Sequence, residues 1–171
     1  YQILALSMQK EVLEKSPLFM GMSNYQMRKA ILISESHDFE KGELLVKQGT
    51  VGRSMYLVMS GQVEILRRSE RGAKRIVALD AGEIFGEISY ITDTKRTADV
   101  RALTHVRVLK FDYKKLNKDL KFFPHIIAKL NFNISYILGK RLTSLMEGLA
   151  PRSKKDESTH TGLRMDKKNP A

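Results

Sequence analysis

Phe85-Gly86-Glu87-Ile88-Ser89 and, after a short polar bridge, Arg96-Thr97-Ala98 bring together the residue types that grip a phosphate joined to a sugar. If Gly86 opens a single helical turn at the end of a strand, the free backbone amides face outward and the local dipole favours an anion. Gly86 also lets a ligand come close to the backbone. Arg96 adds a planar fork of fixed charge that matches two phosphate oxygens, which a lysine matches less well. Glu87 can only accept hydrogen bonds, so it suits a sugar hydroxyl and balances the charge of Arg96. Phosphate plus ribose describes a nucleotide. The plainer reading is an internal Glu87–Arg96 ion pair that ties a loop to a strand.

These residues sit inside a series of short strands. From about Glu35 the apolar period becomes that of strands, in Leu44-Leu45-Val46, Met55 to Met59, Val63 to Leu66, Arg75 to Leu79, Ala98 to Ala102 and Val106 to Phe111. Gly42, Gly49, Gly61, Gly72 and Gly82 fall between them, and short strands at even spacing with glycine turns predict an antiparallel β-barrel or jelly roll over residues 35–111. The fold class is therefore mainly β with flanking helices.

The flanks follow from caps and stripes. Residues 1–34 are expected to form short helices packed on the barrel: one from Gln2 to Lys15 stopped by Pro17, and one opened by the Ser23-to-Gln26 capping box with Met27, Ala30 and Ile31 inward. In residues 112–149, Asp112 caps a helix through Leu116 and Leu120, and Pro124 takes the first turn of a long helix. Its stripe Ile127, Leu130, Ile134 and Ile137 is expected to pack on the barrel. The second stripe, Leu138, Leu142, Leu145 and Leu149, steps by four and three and predicts a homodimer contact of the coiled-coil kind. Residues 150–171 are almost free of apolar side chains and are expected to be a basic, disordered tail.

Composition removes several function classes. At 171 residues and 42% hydrophobic content the chain can build one domain with a real core, and no apolar run approaches the roughly 18 residues of a membrane span. The absence of cysteine excludes disulfides, Cys-ligated zinc and thiol nucleophiles, and fits a cytoplasmic location. The net charge of +11 attracts any polyanion, but the tail holds only six cations against three acids, and the rest is spread over strands and helices. A solvated or partner-facing surface is expected, not a specific nucleic-acid interface. His37, His105, His125 and His160 form no His-x-His pair, so no metal site is expected, and His37 and His105 read as ordinary strand residues. Neither a Gly-x-Ser-x-Gly elbow nor a Walker lysine occurs, so the chain does not read as an enzyme. The first residue is Tyr and no signal segment follows, which reads as a sequence beginning inside a longer chain whose effector domain lies elsewhere.

Phe85-Gly86-Glu87-Ile88-Ser89 with Arg96-Thr97-Ala98 resembles the phosphate-binding cassette of the cyclic-nucleotide-binding domain family. The likeness extends through Gly42-Glu43-Leu44-Leu45, Gln48-Gly49, Tyr56-Leu57-Val58, Ser60-Gly61-Gln62-Val63 and Gly82-Glu83, and covers roughly Ser16 to Leu149. The resemblance implies that Glu87 binds the ribose 2′-hydroxyl, that Arg96 binds the cyclic phosphate, and that Phe85, Gly86, Ile88, Ser89 and Ala98 complete the cradle. It places Thr97 beside phosphate and purine without deciding the base; cyclic AMP is favoured over cyclic GMP as the ligand. It further implies a regulatory module that signals through the C-terminal helix as a lid over the base. The competing reading is a degenerate domain that serves only in dimerisation or protein interaction. Two positions depart from the family pattern. Tyr90 replaces a frequent Leu, and Asp99 replaces a small residue, with strand alternation predicting that Asp99 faces outward beside Arg101.

Overall fold

The period-2 runs pair into two four-stranded antiparallel sheets in a computed structural model that describes residues 2–149. The strands are β1 (Glu35–Phe39), β2 (Leu44–Val46), β3 (Ser54–Ser60), β4 (Val63–Ser69), β5 (Gly72–Leu79), β6 (Ile84–Phe85), β7 (Asp99–Ala102) and β8 (Val106–Asp112). The sheet orders are β1-β8-β3-β6 and β2-β7-β4-β5, so strands distant in sequence alternate between the two layers of a jelly roll. The helices are α1 (Gln2–Lys15), α2 (Asn24–Ile33), α3 (Glu87–Thr92), α4 (Tyr113–Asp119) and α5 (Pro124–Leu149), with a 3-10 turn at Pro17–Phe19. The tail predicted for residues 150–171 lies outside the described residues.

Alternation along β3 separates two cores. Val58 faces Val63, Leu79, Phe85, Val100 and Val108 between the sheets. Met55, Leu57 and Met59 point the other way, to Met27, Ala30, Leu116, Ile126, Leu130 and Ile134 of α2, α4 and α5. Removing one of these fully buried side chains, as in Leu130→Ala, costs about 2–5 kcal/mol. The buried face of α5 begins at Ile126, one residue before the stripe read from the sequence. Asn133 then fastens the helix, donating from Nδ2 to the carbonyls of Leu18 at 2.8 Å and Met20 at 2.9 Å.

Local signals act as their chemistry requires. Ser23 and Gln26 form both bonds of the capping box, and Asp112 accepts from the Lys115 amide at 2.9 Å to open α4. Gly61 has φ 81°, and a Cβ there would meet the His105 carbonyl oxygen at 2.1 Å, so only glycine fits this turn. His37 lies in β1, whereas His105, expected in a strand, lies in the tight turn before β8 that packs on Gly61.

By contact the chain divides into two units, Tyr1–Leu138 and Gly139–Ala171. The described part of the second unit is the end of α5, where Thr143 and Ser144 bond back to the carbonyls of Gly139 and Lys140, and Leu142, Leu145, Met146 and Leu149 are exposed. No helix among the described residues is long and apolar enough to cross a membrane.

Candidate functional site

Gly86 stands between β6 and α3 in the left-handed conformation, with φ 75°. Strand pairing fixes its approach: Phe85 lies opposite Tyr56 of β3, and their rings stack 4.9 Å apart at 7°. Arg96 comes from the loop after α3. The 49–53 loop holds its backbone from both sides, with Gly49 N–H donating to Arg96 O at 2.8 Å and Arg96 N–H donating to Thr50 O at 2.9 Å.

The Arg96 side chain is buried at 7% exposure in a slot between two glycines. A Cβ on Gly86 would meet its Nη1 at 2.8 Å, and a Cβ on Gly52 would meet Nη2 at 3.3 Å. Nη1 donates to Ser89 Oγ at 2.6 Å and Gly86 O at 3.1 Å, both neutral oxygens. Burial pulls the guanidinium below its ordinary pKa, while Tyr56 and the Glu87 carboxylate push the other way. The result is a fixed cation, desolvated and oriented, of the kind that binds an anion with little reorganisation.

The structure gathers Phe85, Gly86, Glu87, Ser89 and Arg96 around this slot. Glu87, buried at 5% exposure, is the first residue of α3, where the helix dipole favours an acid. Ile88 is exposed on α3, Thr97 is exposed, and Ala98 is half-buried before β7.

The family model for the cyclic nucleotide-binding domain matches residues 36–121, half of the chain, from β1 to the end of α4. The chain belongs to the cyclic nucleotide-binding domain family. The mouse protein named cyclic nucleotide-gated channel beta-3 is 32% identical over 124 residues, which are 71% of this chain and 18% of that one. The Schizosaccharomyces pombe protein named cAMP-dependent protein kinase regulatory subunit is 28% identical over 109 residues, 64% of this chain and 26% of that one. The crystal structure of the Thermus thermophilus catabolite activator protein superposes with a TM-score of 0.69 at 26% identity, covering 78% of this chain and 62% of the other. The chain thus spans about a fifth to a quarter of the length of these curated relatives.

In this cyclic nucleotide-binding domain Asp99 faces away from the inter-sheet core and is nonetheless covered. Its register, opposite Leu66 while Arg101 lies opposite Glu64, puts it on the face away from the inter-sheet core, as alternation predicts. It is nevertheless 6% exposed, because Arg68 and Gln48 cover it. Asp99 Oδ1 accepts from the Gln48 amide at 2.7 Å, and Oδ2 meets Arg68 Nε at 2.8 Å. Gln48 in turn pairs its side chain with the backbone N–H and carbonyl of Arg68. The acid is neutralised and spent in a clamp joining β4, β7 and the loop after β2.

Sequence reasoning missed the 49–53 loop as part of the site. The pair Gly49 and Gly52, three apart, was the available signal for a backbone that must pass close to a side chain. Nothing marked Arg53. Its Nε donates to Tyr90 O at 3.0 Å near the end of α3, its Nη1 lies 3.7 Å from Asp93, and its Cζ sits 3.3 Å over the Tyr113 ring at the start of α4. Tyr113 N–H donates back to Arg53 O at 3.0 Å, and its ring meets fully buried Tyr90 edge-on at 5.2 Å. Burial pushes the Tyr90 hydroxyl up to about 12, so it stays neutral. Among the described residues no group of acids and histidines is placed to hold a metal ion.

Proposed function

We propose that this domain is a regulatory sensor that binds a cyclic nucleotide, cyclic AMP in preference to cyclic GMP, and does no chemistry of its own. One observation carries the reading: Arg96 is a buried cation whose hydrogen-bond acceptors are the neutral oxygens of Ser89 and Gly86, at a glycine turn where backbone can approach an anion. Arg96 takes the cyclic phosphate, Glu87 accepts from the ribose 2′-hydroxyl, and Phe85, Gly86, Ile88, Ser89, Thr97 and Ala98 line the cradle. The name of the fission-yeast relative favours the adenine nucleotide.

The output runs through the C-terminal helices. Arg53 joins the end of α3 to the start of α4, which leads into α5, so rearrangement of the phosphate turn reaches α4 through packed groups. The exposed stripe Leu142, Leu145 and Leu149 favours pairing with a second copy of α5, and the relatives' greater length favours an effector elsewhere in the same polypeptide.

Calorimetric titration of the wild type and Glu87→Gln with cyclic AMP and cyclic GMP tests the reading. Loss of a charge-assisted hydrogen bond of about 1.5–3 kcal/mol weakens the variant by about tenfold to 150-fold. A wild type that binds neither nucleotide, or a variant that binds as well as wild type, refutes it and leaves the domain as an interaction module.

A further inference from the structure

The face built by α2 and the α4–α5 turn carries a feature that the nucleotide site does not use. Tyr25, Arg28, Lys29 and Leu32 follow one another at helical spacing along α2. α2 meets the turn through an aromatic contact, Tyr25 to Phe123 at 6.5 Å, with Lys29 Nζ 5.5 Å from the first ring and 5.0 Å from the second. The residue before Phe123, Phe122, turns outward at 79% exposure under Lys121 Nζ at 4.8 Å, and Leu32 stands out at 80%. Lys118 occupies the last turn of α4. Among the described residues Arg28, Lys118 and Lys121 take part in no ion pair, and Asp119 is the one acid in this turn.

We propose that this face docks on an anionic phospholipid surface, with Phe122 and Leu32 entering the boundary between headgroups and acyl chains while Arg28, Lys118 and Lys121 meet the phosphates. Large apolar side chains that protrude beside free cations have the composition of an interfacial membrane contact. A peptide ligand is disfavoured because these side chains stand out from the surface instead of lining a groove. A second copy is disfavoured because a two-fold contact of this face with itself opposes like charges. A nucleic acid would meet a single free ring, Phe122, since Tyr25 and Phe123 are engaged with each other.

Sedimentation of the 171-residue chain with phosphatidylcholine vesicles, with and without about one-third phosphatidylserine, tests the proposal. Wild type should partition to the anionic vesicles and not to the neutral ones. Leu32→Ser with Phe122→Ser, which changes no charge, should weaken partitioning at least about tenfold, and Lys118→Glu with Lys121→Glu should abolish it. Lys41→Glu with Lys74→Glu, the same charge change at other exposed sites, should leave it within about threefold. Circular-dichroism melting confirms that each variant is folded, so the readout does not depend on nucleotide binding. Equal partitioning by wild type and the Ser double variant reduces the effect to the general attraction of a basic chain and overturns the proposal. Equal loss in the two Lys→Glu variants, or no binding by wild type, overturns it as well. Retention on immobilised polyglutamate without vesicle binding assigns the face to an acidic protein segment instead.

Discussion

Arg96→Met separates a ligand-binding cation from a structural tie, because the two roles predict opposite patterns of stability. Without ligand, the variant loses the bonds to Ser89 Oγ and Gly86 O, each worth about 1.5–3 kcal/mol when the donor is charged. It also escapes the cost of burying the charge, which is several kcal/mol for a group at this depth. The acceptors left behind satisfy each other, since the Ser89 hydroxyl already lies 3.3 Å from Gly86 O. Met keeps most of the volume, so the ligand-free stability should change by about 1 kcal/mol or less. Binding has no such compensation. A cyclic phosphate left in the slot without its counter-charge loses about 2–5 kcal/mol, or about thirtyfold and upward. Differential scanning fluorimetry reads both quantities. At a cyclic AMP concentration of about 100 times Kd the wild type gains about 2.7 kcal/mol, a rise in Tm of about 5–11 °C. The variant at the same concentration gains at most about 0.9 kcal/mol, or about 2–4 °C. A variant whose ligand-free Tm collapses while its ligand-induced rise equals that of wild type makes Arg96 a structural residue and refutes the argument.

Three further perturbations probe the frame around the slot. Gly86→Ala adds about 1–2 kcal/mol of left-handed backbone strain and sets a Cβ 3.0 Å from Ser54 O and 2.8 Å from Arg96 Nη1; lowered Tm and weaker nucleotide binding in calorimetry are expected together. Arg53→Ala removes a cation–π contact of about 1–2 kcal/mol, and hydrogen exchange should then show that cyclic AMP changes protection in α4 less than in wild type. Glu64, covered at 3% exposure by Arg75 and Arg101, has its carboxyl pKa lowered chiefly by the hydrogen bond from Arg101. Its folded pKa lies below its unfolded one, so its contribution is full above about pH 4.5 and fades as pH falls through the folded value. The Tm advantage of wild type over Glu64→Gln should therefore shrink below about pH 4.5, and an advantage independent of pH contradicts the assignment.

The fold was legible wherever a residue's neighbours in sequence are its neighbours in space. Capping at Ser23 and Asp112 and the runs of β3 and β8 are of that kind. β6 is only two residues long, too short to show a period, and exists because Tyr56 and Leu57 of β3, separated from it in the chain by β4 and β5, pair with it. β1 reads as polar because only His37 and Phe39 turn partly inward, while its ladder with β8 supplies the pairing. The cassette residues stood out by type, since an acid directly after a glycine turn followed by an arginine in the next loop has few local uses. Asp99 shows the limit: alternation gives its face, but its cover comes from Arg68 and Gln48, distant in sequence and brought close by the β4–β7 ladder. Arg53 left no trace, because its partners Tyr90, Asp93 and Tyr113 are distant in sequence and only the tertiary fold brings them to it.

That loop gives the proposed signal a physical route. Gly49 and Thr50 hold the backbone of Arg96, Gly52 abuts its guanidinium, and the next residue, Arg53, stacks on Tyr113 at the start of α4. The contact with the Arg96 guanidinium and the contact with α4 thus belong to consecutive residues, Gly52 and Arg53, of one short segment. If a phosphate draws Arg96 from its contacts with Ser89 and Gly86, Gly52 loses the group packed on it, and Arg53 is free to follow or to keep its place on Tyr113. The nucleotide can bias α4 only by the difference in its affinity for the two loop positions. A difference of about 1–3 kcal/mol is the usual scale of such coupling, and the contact of Arg53 with Tyr113 is of the same size. Loss of that single stack would therefore weaken the link between the phosphate turn and the helices to the direct Tyr90–Tyr113 ring contact, while the hydrogen bonds of Arg96 to Ser89 and Gly86 stay in place.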